Sequence, residues 1–205
     1  MTVEDVSAGP LIGVLALQGA VAEHAAALQA SGAAVRIVRR PAELDGLDGL
    51  VVPGGESTAM ARIAAPVKMF EAVREHREAG LAVFGTCAGL ILLAESVADA
   101  QALEGFERIR GLDVVVRRNA YGSQLNSFTT ELPVQGIGEP DRPLEAVFIR
   151  APVIEEIRSA DVEVLAEAQG HPVAVRQGRL LAASFHPELT SDYRLHQYFV
   201  GLATS

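Results

Sequence analysis

Cys87, the only cysteine of this 205-residue chain, stands in Val83-Phe84-Gly85-Thr86-Cys87-Ala88-Gly89-Leu90, where an apolar strand breaks at a glycine and an apolar helix begins. Gly-x-Cys-x-Gly suits a nucleophile. Small residues on either side permit a sharp strand-to-helix elbow that lifts the thiol out of the sheet and sets it at a helix amino end, where the dipole favours a thiolate. Much later in the chain a second apolar strand, Leu180-Leu181-Ala182-Ala183-Ser184-Phe185, runs directly into His186-Pro187-Glu188. Residues two apart at a strand end project to the same side, so Glu188 can orient the imidazole that serves the thiol. A lone cysteine in an apolar stretch is ordinarily a small buried hydrophobe. Here two independent signals converge on one chemistry, and the three residues read as a Cys87-His186-Glu188 triad.

The elements that must position these groups alternate. Strands are expected over 11–17, 34–39, 50–52 and 81–84, and helices over 21–30, 60–63, 67–79 and 88–96, the last buried behind the nucleophile. Such βαβα order predicts an α/β fold with a mostly parallel, doubly wound sheet and its active groups at the carboxyl ends of the strands. Pro53-Gly54-Gly55-Glu56-Ser57 and the Cys87 elbow both fall at such ends. The second half reads as short strands over 113–116, 127–132, 146–149, 162–168, 173–176 and 180–184 with little helix between them, which suggests antiparallel additions in the C-terminal half. A helix over 191–202 closes the chain.

Composition sets limits. The length and 49% hydrophobic content fit one well-buried domain over 11–205, with 1–10 as an N-terminal extension. A formal charge of −9 argues against a nucleic-acid surface, and the Arg39-Arg40 and Arg117-Arg118 pairs are isolated. The uncharged run of 16 residues between Glu78 and Glu95 is too short for a bilayer and is broken by the elbow, so no membrane association is expected. A single cysteine excludes an internal disulfide and fits a cytoplasmic setting. The five histidines show no metal-ligand spacing, so no metal is expected. His24 reads as a capping or interface histidine, and His76, His171 and His196 as structural.

With these residues in view, the chain resembles the class I glutamine amidotransferases, a flavodoxin-like family with a Cys-His-Glu triad. More narrowly it is similar to the glutaminase subunits of pyridoxal 5′-phosphate synthase. The resemblance rests on Gly13-Val14-Leu15-Ala16-Leu17-Gln18-Gly19-Ala20 with Glu23-His24, Pro53-Gly54-Gly55-Glu56-Ser57-Thr58 and the Cys87 elbow. It rests also on Arg118-Asn119, Val147-Phe148-Ile149-Arg150-Ala151-Pro152 and Ser184-Phe185-His186-Pro187-Glu188-Leu189-Thr190. The triad motifs specify the superfamily, and the Leu-Gln-Gly, Gly-Gly-Glu-Ser-Thr and Phe-Ile-Arg-Ala-Pro segments the vitamin B6 branch.

The resemblance implies that Cys87 attacks the carboxamide of L-glutamine, that His186 relays the proton to departing ammonia, and that Glu188 holds the ring. It implies a glutamine site lined by Gly55, Glu56, Ser57, Arg118, Ile149 and Arg150, and an oxyanion hole from the backbone of Gly54, Gly55 and Ala88. It also implies a synthase subunit as partner, which receives the ammonia. No cofactor is implied for this chain, since pyridoxal phosphate is the product of the complex and Lys68, the only lysine, lies in an expected helix away from the motifs. Gln18 is placed near the oxyanion loop by resemblance alone. The pattern departs at Ser123, where the family tends to carry an arginine, and at Asn126, where it carries an acid. Two other readings stay open: a glutaminase for another ammonia acceptor, and an assembly subunit with a vestigial triad.

Overall fold

The computed structural model describes residues 9–118, 127–137 and 142–205. Most of the expected extension, and the departures at Ser123 and Asn126, lie outside the described residues. The first half runs β1 (Leu11–Leu15), α1 (Val21–Ala30), β2 (Ala34–Val38), β3 (Gly49–Val52), α2 (Ser57–Ala64), α3 (Met69–Glu78), β4 (Ala82–Thr86) and α4 (Ala88–Leu93). The second half runs β5 (Ala94–Val97), β6 (Leu112–Arg117), β7 (Ser127–Leu132), β8 (Leu144–Ile149), β9 (Val153–Ile157), β10 (Val162–Ala168), β11 (His171–Gln177), β12 (Leu180–Ala183) and α5 (Arg194–Thr204).

Seven strands form the central sheet in the order β10-β11-β12-β4-β3-β1-β2. The five from β12 to β2 are parallel, and β11 and β10 add antiparallel strands at one edge. Alternation explains how the sheet is covered on both faces. Ile12, Val14, Val51, Ala82, Phe84 and Leu181 point to one side, where they pack with Leu28 of α1 and Leu195 and Phe199 of α5. Leu15, Leu50, Val52, Val83 and Ala182 point to the other, against Met60 of α2, Phe70 and Val73 of α3, and Leu90 of α4. A period of two in every core strand therefore builds two apolar layers from one sheet. Among the described residues no helix is long and apolar enough to cross a membrane.

Several expectations change. The helix expected over 88–96 ends at Leu93, and the chain continues as β5, which pairs with β6. Arg108 supplies the reason, because its guanidinium donates to the Ala94 and Glu95 carbonyls and holds them out of the helix. The helix expected over 67–79 is broken at Lys68, whose φ of 54° is left-handed, so α3 starts at Met69. α2 begins earlier than expected, at Ser57, because the Glu56 carboxylate accepts the N–H groups of Thr58 and Ala59 at 3.0 and 2.7 Å and caps the helix. β9 carries two adjacent glutamates and no clean alternation, and only pairing with β6 makes it a strand. The expected antiparallel additions divide: β10 and β11 extend the core, whereas β5-β6-β9, in which β5 and β6 run parallel, and the antiparallel β7-β8 form two small sheets of their own.

Candidate active site

The chemistry collects at the carboxyl ends of the parallel strands. Cys87 directly follows β4 with φ 50° and ψ −103°, a conformation that costs an L-residue of order 1–3 kcal/mol and persists only where its surroundings enforce it. Enforcement comes from the neighbouring strand, since the Cys87 N–H donates to the Ala183 carbonyl of β12 at 2.8 Å. The flanking glycines are steric necessities. A Cβ on Gly85 would lie 2.6 Å from the Gly89 carbonyl carbon, and one on Gly89 would lie 2.1 Å from the Val52 oxygen of β3. Gly89→Ala is therefore expected to destabilise the chain by about 1–3 kcal/mol, because two backbones must move apart. Thermal unfolding reads this, and an unchanged Tm would mean the elbow is not packed as described.

His186 follows β12, which lies directly beside β4 with Ala183 opposite Thr86. Its N–H donates to the Val147 carbonyl of β8 at 2.8 Å, and its Nδ1 lies 2.7 Å from Glu188 Oε1. Burial works against a charged ring here, but hydrogen bonds to Cys87 and Glu188, and attraction to both, raise its pKa from 6.5 to about 10. The structure thus brings Cys87, His186 and Glu188 together, with the Glu188 side chain wholly buried. The ring is set to carry a proton beside the thiol.

A cavity of about 310 Å³ opens over these groups. Its walls come from four strand ends: Gly19 and Ala20 after β1, Gly54 to Ser57 after β3, Cys87 after β4 and His186 after β12. Arg118, Ile149 and Arg150 close it from the small sheets, and Ile91 of α4 forms part of the wall. All six residues expected to bind glutamine thus line one cavity. Of the three expected oxyanion residues, Gly54 and Gly55 line it, while Ala88 is buried directly behind Cys87 at the start of α4. A Cβ on Gly54 would stand 2.5 Å from His186 Cε1, so only glycine lets this loop approach the ring. Gly55 has φ 151°, and the next peptide is held by Gln18, whose Oε1 accepts the Glu56 N–H at 2.7 Å. A larger hollow of about 690 Å³, lined by Arg77, Leu81 and Arg179 among others, lies at the opposite ends of β4 and β12, away from the thiol.

Charge in the cavity is divided. Arg118 Nη2 reaches Glu56 Oε1 at 3.5 Å, while its buried Nη1 has no hydrogen-bond partner among the described residues. Burial disfavours the Glu56 carboxylate, but the α2 N–H groups and the Arg118 charge outweigh this and lower its pKa.

Two residues were missed by sequence reasoning. His24, expected to cap or to face a partner, and His196, expected to be merely structural, are both fully buried behind the triad. His24 Nε2 lies 3.4 Å from Glu188 Oε2 and 3.2 Å from Thr86 Oγ1, and its Nδ1 lies 3.0 Å from His196 Nε2. A signal was present: His24, Ala27 and Leu28 occupy the i, i+3, i+4 stripe that α1 buries.

Comparison with known proteins follows the same geometry. Residues 14–204 match the model of the SNO glutamine amidotransferase family. A pyridoxal 5′-phosphate synthase subunit PdxT from Streptomyces avermitilis is 53% identical over 193 residues, covering 94% of each chain. That of Mycobacteroides abscessus is 52% identical over 193 residues, covering 94% of this chain and 97% of its own. A solved glutamine amidotransferase superposes with a TM-score of 0.86 at 46% identity, covering 95% of this chain and 99% of its own. On the extent of these matches, the chain belongs to the SNO glutamine amidotransferase family.

Proposed function

We propose that the chain is the glutaminase subunit of a pyridoxal 5′-phosphate synthase, hydrolysing L-glutamine to L-glutamate and ammonia through a Cys87 thioester. The observation that carries this reading is the Cys87 elbow facing the His186–Glu188 pair, 2.7 Å apart, on adjacent parallel strand ends. Family membership and the PdxT relatives support the substrate and the pathway.

In this reading the Cys87 sulfur attacks the carboxamide carbon, and His186 hands the proton to the departing ammonia. Water, deprotonated by the same ring, then hydrolyses the thioester. Glu188 holds the imidazole through Nδ1 and stabilises its charge. Backbone N–H groups of Ala88 and the Gly54-Gly55 loop receive the oxyanion. Gly55, Glu56 and Ser57 hold glutamine from one side and Ile149 and Arg150 from the other. We assign the α-carboxylate to Arg118, because it lines the cavity and its buried Nη1 has no hydrogen-bond partner among the described residues.

The ammonia passes to a synthase subunit, and the work is cytoplasmic. Unchecked hydrolysis would waste glutamine, and the Gly54-Gly55 peptide offers a switch, since turning it makes or removes an oxyanion donor. Loss of one such donor costs about 10²- to 10³-fold in rate. The isolated chain is therefore expected to release glutamate slowly and to be accelerated by about that factor when synthase is added. His24 is too deeply buried to meet the partner, so contact on this side falls to the surface near Gln18 and Glu23. Glutamate release titrated with synthase tests the scheme. Full activity without any synthase would remove the switch, and no glutamate under either condition would remove the glutaminase.

A further inference from the structure

We propose that His24, itself held by His196, is a positioning residue for the triad: it offers an uncharged N–H to the outer oxygen of Glu188 and so presents the inner oxygen to His186. This rests on the triad assignment above. The Glu188 side chain has no solvent exposure, and burying a carboxylate is costly unless donors or cations face its oxygens. Oε1 has His186 Nδ1 at 2.7 Å. Oε2 has no regular hydrogen bond among the described residues, and His24 Nε2 stands 3.4 Å away.

Tautomers decide what His24 can give. If its proton is on Nε2, it lies between Thr86 Oγ1 at 3.2 Å, the hydrogen-bonded contact, and Glu188 Oε2 at 3.4 Å, and Nδ1 is left to accept from His196 Nε2–H at 3.0 Å. His196 Nδ1 is then a bare lone pair, in keeping with its lack of a hydrogen-bond partner among the described residues. The opposite arrangement would leave a buried N–H on His196 Nδ1 unpaired and turn a His24 lone pair towards the carboxylate. An orphaned donor and a facing pair of acceptors are both unfavourable, so the first arrangement prevails.

Neutrality matters as much as direction. A cation at position 24 would compete with His186 for the carboxylate and repel the imidazolium. The groups facing His24 are His196 from α5, Thr86 from β4, and Glu188 and His186 after β12, with the Phe84 ring at its edge. Burial, followed by repulsion from His196 and His186, keeps the His24 pKa well below its ordinary value, and burial brings His196 down to about 4. Both rings therefore donate without charge at neutral pH, and the carboxylate's attraction is left to His186. A pair that only filled space between α1, α5 and β4 would need neither this direction nor this neutrality.

The test uses the full chain with synthase for kcat and KM, and iodoacetamide alkylation of Cys87 against pH as a readout that needs no glutamine chemistry. His24→Leu fills the volume without a donor, whereas His24→Gln returns an amide N–H near the Nε2 position. His24→Leu is expected to lower kcat by about 10- to 100-fold, the scale that outer partners of metal-ligating histidines show, with KM little changed. It should also move the alkaline inflection of alkylation, which reports His186 losing its proton, towards neutral pH. His24→Gln should recover most of both. Wild-type kcat and inflection in His24→Leu, or equal impairment in the two variants, would make His24 a core filler. If His24→Leu does not fold, His196→Leu carries the same test, because it removes the donor that sets the His24 tautomer. A wild-type chain that releases no glutamate yet shows the His24-dependent inflection would overturn the glutaminase reading and leave the positioning role standing.

Discussion

Cys87→Ala is expected to reduce glutamate release by about 10⁴-fold or more, since Cys87 is the only cysteine of the chain and a thioester can form on no other side chain. The variant should keep its fold. The thiol is an edge group whose Sγ lies 4.0 Å from the Ile149 carbonyl, and alanine retains the Cβ that the elbow already accommodates. Unfolding free energy should therefore change by no more than about 1 kcal/mol. Glutamine should still bind, because the Arg118, Glu56 and Ile149 contacts remain, and isothermal titration would read this apart from catalysis. A glutamine-like diazo ketone should alkylate the wild type at Cys87 and leave the variant untouched. Hydrolysis near the wild-type rate in Cys87→Ala would end the triad assignment.

His186→Asn and Glu188→Gln separate the base from the group that orients it. Loss of the base is expected to cost about 10⁶-fold in kcat, and loss of the orienting charge about 10⁴-fold. The order is the test, and negligible effects of both would make His-Pro-Glu a structural turn. Glu188→Gln also has a signature in pH. Because the folded His186 pKa is raised from 6.5 to about 10, its contribution to stability is complete below pH 6.5 and is lost as pH rises through about 10. Removing the Glu188 charge takes away one of the partners that raise it, so the alkaline loss should move towards neutral pH. Urea unfolding from pH 6.5 to 10 measures that movement. An unchanged profile would mean the 2.7 Å contact does not support the imidazolium.

What the sequence by itself determined were the features whose causes are local. The Gly85 flank of Cys87 marks an elbow because backbone crowding four residues on, at Gly89, excludes a side chain, whereas the need for glycine at 89 comes from Val52 of the neighbouring strand. Strand alternation along Ile12, Val14 and Leu50 to Val52 gave two apolar faces, and hence a covered parallel sheet, because the pleat repeats every two residues. The Cys, His and Glu were legible for the same reason, each sitting at a chain reversal with its own signature.

Tertiary structure decided whatever depended on residues far apart in the chain. α4 stops at Leu93 because Arg108 takes two carbonyls, and β9 is a strand only because β6 lies beside it. Arg118 enters the cavity through a contact to Glu56 62 positions away. His24 becomes more than a polar residue on a small-residue helix only when α5 brings His196 to it across 172 positions. A buried polar side chain takes its meaning from its hydrogen-bond partners, and in this chain packing supplies those partners, not sequence neighbours.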